Sequence, residues 1–222
     1  MARVSVLMGI YNCAPYLQEA LDSLYAQTFQ DFKIVLCDDG SVDETFEIAE
    51  ANARVHRNVI LIRNERNMGL NYTLNHCLKY ANTEYCARMD GDDISLPTRF
   101  EEEVRFLDGH PGYAIVTTPM KYFDETGVFR IGTGGCEPKL TDFPKSSPFC
   151  HAPCMVRKEA YDAVGGYTVA DNLLREEDYH LWIKMYQKGF RGYTLKEPLY
   201  MMRDDRNAAR RRSFKFRKTK LM

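Results

Sequence analysis

The sequence predicts an α/β fold, a three-layer α/β/α arrangement around a mainly parallel central sheet. Short apolar runs rich in β-branched residues alternate with segments whose apolar residues recur at helical spacing. Each predicted strand is a continuous apolar run, which is typical of strands buried on both faces of a parallel sheet. A chain of 222 residues is long enough to bury such a core.

The predicted elements follow one another regularly along the chain. Strands are predicted at 4–10, 32–37, 59–62 and 85–89, and helices begin near Pro15, after Asp43 and at about residue 70. A helix at 100–107 and strands at 113–118 and around Met155 come next. The glycine-rich segment 131–136 predicts a mobile loop near the site.

The composition is that of a soluble globular protein, with 45% hydrophobic and 27% charged residues. No apolar run approaches the roughly 20 residues that span a bilayer. The N-terminus lacks the apolar core of a signal peptide, so we expect a cytoplasmic protein. Seven cysteines without a regular spacing predict reduced, buried thiols.

The positive charge is concentrated at the C-terminus. Residues 203–222 contain nine Lys or Arg against two Asp, a net charge of +7, which leaves −8 for the rest because the whole chain carries −1. We therefore divide the chain into a catalytic domain at 1–202 and a basic tail or helix at 203–222, suited to an anionic membrane surface. An acidic body argues against nucleic-acid binding.

A dense acidic cluster follows the fourth strand. Asp90, Asp92 and Asp93 lie within four residues of one another, and like charges so close repel unless a cation or solvent separates them. Mg²⁺ or Mn²⁺ is the expected partner, because such ions take one or two carboxylates together with the phosphate oxygens of a substrate. A solvated turn is the alternative explanation.

Polar residues follow each of the first four predicted strands. Because the carboxyl ends of parallel strands meet at one edge of a sheet, where ligands bind in open α/β folds, these residues are predicted to share one crevice. They are Tyr11, Asn12, Asp38, Asp39, Asn67, Gly69, Asp90, Gly91 and Asp92. The chain has neither the glycine fingerprint of a dinucleotide-binding unit nor a P-loop, so a nucleotide diphosphate held through a metal fits best.

A second acidic run stands before Trp182. Its carboxylates would favour the first turn of a helix, and Asp178 is placed to act as a general base toward an attacking hydroxyl, with Glu177 orienting it or holding the acceptor. His151 is interpreted as lining the cleft. A zinc site built from the cysteines on either side of it and His180 is disfavoured, because the strand pattern continues through them.

These motifs, in this order, resemble the family-two inverting glycosyltransferases of the GT-A fold, a nucleotide-diphospho-sugar transferase-like fold, and in particular those of bacterial polysaccharide synthesis. The resemblance covers residues 3–202. It departs from the family where the first strand ends Gly9-Ile10-Tyr11-Asn12 rather than Pro-x-Tyr-Asn, and where His180 replaces an acidic residue. Relatives often continue with further helices, so the chain is expected to be a short member or a truncated one.

The resemblance implies a role for each matching residue. Tyr11 and Asp39 would contact the nucleobase, usually uracil, in a pocket that Asp38 helps to form. The nucleotide site would also include Asn12, Asn67, Gly69, Arg88, Asp90 and Gly91. Asp92 and Asp90 would hold the metal, assisted by His180, and Asp178 would deprotonate the acceptor with Glu177 beside it. His151 and Trp182 are placed in the pocket for the acceptor or donor sugar.

The resemblance also implies partners: a nucleotide-sugar donor, a saccharide or lipid-linked acceptor, and peripheral attachment at the inner face of the plasma membrane. It allows a homodimer. Two other functions are weighed against it. A sugar nucleotidyltransferase would need a basic, glycine-rich phosphate loop after the first strand, which is missing. A non-catalytic interaction protein of the same fold would be expected to lack Asp90, Asp92 or Asp178, and all three are present.

Overall fold

A computed structural model describes residues 2–145, 147–170, 177–204 and 206. The helices are α1 Ala14–Tyr25, α2 Thr45–Val55, α3 Leu70–Leu78, α4 Arg99–Gly109, α5 Lys158–Val164 and α6 Glu177–Gln187, with a 3-10 helix at Leu140–Lys145. The strands are β1 Val4–Ile10, β2 Phe32–Asp38, β3 Val59–Arg63, β4 Tyr85–Arg88, β5 Ile94–Ser95, β6 Ile115–Thr117, β7 Met120–Asp124, β8 Gly127–Ile131, β9 Met155–Arg157, β10 Gly192–Thr194 and β11 Tyr200–Arg203.

The main sheet has seven strands in the order β10-β6-β9-β4-β1-β2-β3. Its pairs are parallel except those made by β9, which runs antiparallel to both β4 and β6. The first four strands are mutually parallel, so their carboxyl ends share one edge, as the sequence predicts. The mainly parallel sheet is confirmed.

Helices cover both faces of this sheet, which explains the continuous apolar runs. Along β1, Val6 and Met8 belong to a core shared with α1 and α4, whereas Leu7 belongs to a second core shared with α3, α5 and α6. Alternate residues of a strand point to opposite faces, so a strand buried on both sides needs apolar residues at every position. The three-layer architecture follows from that pattern.

A second sheet of four strands, β5-β11-β7-β8, was not predicted. Its central strand β11 pairs parallel with β7 and antiparallel with β5, two segments far away along the chain. The sheet brings the end of β11 against the loop that follows β4. Arg203, assigned to the basic tail by its charge, is therefore the last residue of a strand that packs on the catalytic domain.

The glycine-rich segment 131–136, which the sequence predicts to be a mobile loop, is hydrogen-bonded to β10 in this structure. Cys136 forms a bridge with Thr194, and the amide of Gly135 donates to the Thr194 carbonyl at 2.8 Å. A side chain at Gly134 would overlap the carbonyl of Leu195, so the glycine allows close backbone approach. The cysteines are free thiols, and most of them are buried, as predicted.

None of the helices in the described ranges has the length and apolar character required to cross a bilayer. Arg206 makes an ion pair with Asp124 at 2.8 Å. Beyond it, residues 207–222, which hold most of the predicted basic tail, lie outside the described residues.

Candidate active site

A pocket of about 220 Å³ opens at the carboxyl edge of the main sheet, between β1 and the start of α3. It is lined by Gly9, Ile10, Tyr11, Asp39, Asn67, Gly69, Leu70 and Thr73. Tyr11 is 45% exposed and presents a ring at the rim, whereas Asp39 is nearly buried at 4%. An aromatic face beside a fixed carboxylate suits a planar base that carries an N–H donor.

The loops around this pocket are held by side-chain hydrogen bonds. Asn12 adopts a left-handed conformation with φ of 48°, and its amide oxygen accepts the Val42 N–H at 3.0 Å. Asp38 is fully buried, pairs with Arg63 at 2.9 Å and accepts the Ser41 N–H. Asp38 thus supports the pocket from inside the fold. The Asn67 side chain accepts the Gly69 N–H at 3.1 Å, at the start of α3.

Arg88 lies buried at the end of β4, directly below the acidic cluster. Its guanidinium pairs with Asp90 at 2.6 Å, while its Nε has no hydrogen-bond partner among the described residues. Burial opposes the charge, but Asp90 raises the pKa of Arg88 above its ordinary value. A permanent cation is therefore fixed beside Asp90, the first aspartate of the Asp-x-Asp motif that Asp90, Gly91 and Asp92 form.

The three aspartates differ in environment. Burial and the charge of Asp90 raise the pKa of Asp92, partly offset by Arg203 and Arg88. Asp93 is more deeply buried, and burial together with Asp90 and Asp92 raises its pKa to about 8. The Arg203 amide donates to Asp93 at 2.8 Å.

Arg203 also clamps the same loop through its side chain. Its Nε donates to the Asp92 carbonyl at 3.0 Å, and its Nη2 pairs with Glu19 at 2.5 Å. The guanidinium lies over the rings of Tyr16 and Phe123, with 4.4 and 4.5 Å to their centroids. No sequence motif marks this residue, because its position depends on the pairing of β11 with β5 and β7.

His151, Tyr161 and Tyr167 form a polar cluster inside the fold. His151 Nε2 and the Tyr167 hydroxyl are 2.8 Å apart, and the Tyr161 hydroxyl is 3.2 Å from that of Tyr167. Burial and then Arg88 lower the pKa of His151, so its imidazole is neutral. Burial raises the pKa of Tyr167, which Arg88 lowers and Asp178 raises. Tyr167 therefore lies within electrostatic reach of both Arg88 and Asp178.

Asp178 is half-buried in the first turn of α6. The Ser147 hydroxyl donates to its Oδ2 at 3.4 Å, and its charge, after the effect of burial, raises the pKa of Cys150 to about 11. Asp178 thus lies next to Ser147 and close enough to Cys150 to affect its pKa. Glu177 begins α6, but its side chain lies outside the described part of the chain.

Two predicted residues occupy other surroundings. Trp182 is fully buried and packs edge-on against Phe149 and His151, with ring centroids 5.5 and 5.9 Å away. It supports His151 from inside instead of lining an open sugar pocket, because α6 turns this face toward the second core. Burial and Lys184 lower the pKa of His180. Within the described segments His180 does not join Asp90 and Asp92 in a group of ligands.

The donor set nevertheless fits a hard divalent cation. In the part of the chain that the structure describes, no three His, Cys, Asp or Glu side chains form a closed metal site. Mg²⁺ or Mn²⁺ needs fewer protein ligands when phosphate oxygens and water complete the shell. Asp90 and Asp92 supply two carboxylates, and burial together with the charge of Asp90 raises the pKa of Asp92, so a bound cation would favour its ionised form.

Comparison with known proteins identifies the family of this chain. The model of the family "Glycosyl transferase family 2" matches residues 5–165. The chain is 44% identical over 217 residues to "Putative glycosyltransferase EpsE" of Bacillus subtilis, covering 96% of this chain and 77% of the relative. It is 30% identical over 219 residues to an Escherichia coli UDP-Gal:alpha-D-GlcNAc-diphosphoundecaprenol beta-1,3-galactosyltransferase, covering 95% and 77%.

Solved structures give the same fold. The Staphylococcus aureus TarS 1-349 complex with UDP superimposes with a TM-score of 0.76 at 24% identity over 92% of this chain, which spans 61% of that one. The Pyrobaculum calidifontis mannosyltransferase PcManGT, in complex with GDP-Man and Mn²⁺, gives a TM-score of 0.70 at 21% identity, covering 90% and 56%. The predicted GT-A fold is confirmed, and the chain belongs to glycosyl transferase family 2.

Proposed function

We propose that this protein is an inverting glycosyltransferase that moves a sugar from a UDP-sugar to a hydroxyl of a saccharide or lipid-linked saccharide in cell-surface polysaccharide synthesis. The observation that carries the proposal is that the Tyr11–Asp39 pocket and the Arg88–Asp90 ion pair follow neighbouring parallel strands and so lie at one edge of the main sheet. Asp90 and Asp92 are the carboxylates suited to holding a donor there, and Asp178 is the candidate for activating an acceptor.

The donor would be held at two points. The pocket between Tyr11 and Asp39 takes the base, and Asp90 and Asp92 would hold Mg²⁺ or Mn²⁺ against the diphosphate. When bound, the cation supplies Lewis-acid stabilisation of the leaving diphosphate. Arg88 would orient Asp90, because its buried guanidinium carries a permanent charge and pairs with that carboxylate at 2.6 Å.

The acceptor hydroxyl would be activated by Asp178. Its carboxylate takes the hydroxyl proton while the acceptor oxygen forms a bond to the anomeric carbon, and the bond from that carbon to the phosphate oxygen breaks with its electron pair leaving on UDP. A single displacement of this kind inverts the anomeric centre. The Ser147 hydroxyl, 3.4 Å from Oδ2, orients the carboxylate.

The relatives support the choice of substrates. The Escherichia coli relative is named for a UDP-sugar donor and a diphosphoundecaprenol acceptor, and TarS was solved with UDP. A metal-dependent transfer of a hexose or N-acetylhexosamine is the corresponding proposal for this chain. Membrane attachment through the basic tail and a homodimer remain predictions from the sequence.

Three variants test the proposal through UDP release and UDP binding, measured with Mn²⁺ over a panel of UDP-sugars and acceptors. Asp178→Asn should keep UDP affinity and lose turnover by roughly 10²–10⁴-fold, the usual contribution of a general base. Asp92→Ala should weaken UDP binding as well. Asp162→Asn is the matched control, since that exposed carboxylate pairs with Lys158 on α5. Native turnover in Asp178→Asn would remove Asp178 as the base.

A further inference from the structure

A chain of hydrogen bonds runs from α3 to the carboxylate in the base pocket. His76 Nδ1 lies 2.8 Å from Asn64 Oδ1, and Asn64 Nδ2 donates to Asp39 Oδ1 at 2.7 Å and to Thr73 Oγ1 at 3.0 Å. Asn64 is 6% exposed and directly follows β3. Neither Asn64 nor His76 lines the pocket, and no sequence motif marks them.

The direction of every bond in this chain is fixed by the groups at its ends. The Asp39 carboxylate accepts the Met68 and Gly69 N–H groups, and the single proton of the Thr73 hydroxyl is given to the Gly69 carbonyl at 3.0 Å. The NH₂ group of Asn64 must therefore face both residues. Its carbonyl then faces His76, which must carry a proton on Nδ1. Burial and Lys79 lower the pKa of His76, so the ring is the neutral Nδ1–H tautomer.

Among the described residues, three N–H groups donate to the Asp39 carboxylate, which leaves one acceptor position. Its Oδ1 takes the Asn64 amide and the Met68 N–H at 2.9 Å, and its Oδ2 takes the Gly69 N–H at 2.9 Å. A carboxylate offers about four acceptor positions, so the remaining one, on Oδ2, serves the pocket. A base with an imide N–H, such as uracil, satisfies it. Cytosine presents an acceptor at the same ring position and is opposed.

We propose that Asn64, oriented by His76, is a specificity-determining positioning residue: it locks Asp39 as a hydrogen-bond acceptor and so selects a base with an imide N–H over cytosine. This inference rests on the proposed nucleotide-donor function of the same pocket. It assigns the choice of base to residues behind the pocket wall rather than to the residues that touch the nucleotide.

Asn64→Asp tests the inference with almost no change in shape. A carboxylate at position 64 would meet Asp39 oxygen to oxygen, and two carboxylates in contact relieve their repulsion by sharing a proton. The shared proton lies at Oδ1, between the two carboxylates, so Asp39 carries less negative charge and its Oδ2 becomes a weaker acceptor for the imide N–H of a base. Binding constants for UDP, CDP and GDP, measured by calorimetry with Mn²⁺, should show the UDP affinity falling by about tenfold or more and the preference for UDP over CDP falling with it.

Two further variants keep the test decisive. His76→Phe removes the closer donor to Asn64 Oδ1, leaves the Cys37 thiol at 3.8 Å and keeps an aromatic ring, so it should reduce the UDP-over-CDP preference by about threefold to tenfold, in the same direction. Asn58→Asp makes the same chemical change just before β3, where Asn58 contacts the Phe32 carbonyl, and should leave the preference unchanged.

The outcomes separate this inference from the proposed function. If the native protein and Asn58→Asp bind UDP and both Asn64→Asp and His76→Phe retain the native UDP-over-CDP preference, the positioning role is refuted while the donor site stands. If the native protein binds no nucleoside diphosphate, the proposed function fails and the inference fails with it. Loss of UDP preference in a folded Asn64→Asp, judged by its thermal unfolding, supports both.

Discussion

Arg203→Met removes the clamp on the Asp-x-Asp loop while keeping a side chain of similar length. The variant loses the bond from Nε to the Asp92 carbonyl and the ion pair with Glu19. It keeps the backbone donation to Asp93 and part of the packing on Tyr16 and Phe123. The change therefore tests whether the side chain of Arg203 positions the metal ligands.

The expected cost follows from these contacts. The hydrogen bond from a charged donor to the Asp92 carbonyl contributes about 1.5–3 kcal/mol, since the Arg203 side chain is only 23% exposed. The ion pair adds little, roughly 0–1 kcal/mol, because Glu19 is 57% exposed. A total near 2 kcal/mol should lower the Tm by about 4–8 °C. It should also raise the Mn²⁺ concentration for half-maximal UDP binding by about tenfold, because Asp92 loses its fixed position.

Arg206→Met is the matched control. Arg206 pairs with Asp124 at 2.8 Å, in an exposed position three residues further along, and contacts the acidic cluster nowhere in the described structure. UDP binding by fluorescence or calorimetry, titrated with Mn²⁺, is the assay for both variants. Equal Mn²⁺ dependence in Arg203→Met and Arg206→Met would refute the positioning of Asp92 by Arg203.

Two further predictions concern the loop and the core beneath it. Gly91→Ala would place a Cβ 2.8 Å from Cys13 Sγ and 2.9 Å from Ile10 Cγ2, so the loop must shift. The variant should bind UDP about tenfold more weakly in the presence of Mn²⁺. Gly109→Ala, whose Cβ would lie in open space, should match the native protein in the same titration. Burial raises the pKa of Glu103 from 4.5 to about 7, against the opposing effect of Arg99. The folded state then holds the Glu103 proton more tightly than the unfolded state, so this residue's contribution to the unfolding free energy should fall by at most about 3 kcal/mol as pH rises from about 4.5 to 7. Urea unfolding at pH 5 and pH 8 should show that loss in the native protein and not in Glu103→Gln; equal pH dependence in the two would contradict the assignment.

The strands and helices of the first 90 residues were predictable because each is a local pattern. Val4–Ile10 and Phe32–Asp38 are continuous apolar runs buried on both faces, and the polar residues that follow them meet at one edge. The pocket lined by Tyr11 and Asp39 and the loop of Asp90 and Asp92 follow from that topology. The sequence therefore predicts residues that act within their own loop.

The second sheet was missed because its strands are short and are defined by distant partners. Tyr200–Arg203 is recognisable only through its pairing with Met120–Asp124 and Ile94–Ser95. Charge alone assigned Arg203 to the tail. For the same reason Asn64 and His76 went unnoticed: their contacts with Asp39 require the end of β3 and the middle of α3 to lie side by side.

Trp182 was assigned a role that the structure does not support. Its place near Asp178 in the sequence favours a sugar-binding role. Successive residues of a helix point in different directions, however, and Trp182 faces the core. Proximity along a helix does not imply proximity to a substrate. The orientation of α6, set by its packing on α5 and the second core, decides which residues reach the site.

Metal-dependent donor binding is tested most directly by calorimetric titration of UDP into the native protein and Asp92→Asn, each with Mn²⁺ and with a chelator. We expect the native protein to bind UDP tightly only when Mn²⁺ is present, and Asp92→Asn to bind it weakly and independently of Mn²⁺. Equal UDP affinity in all four titrations would contradict the claim that the carboxylates after β4 hold a sugar nucleotide through a divalent cation.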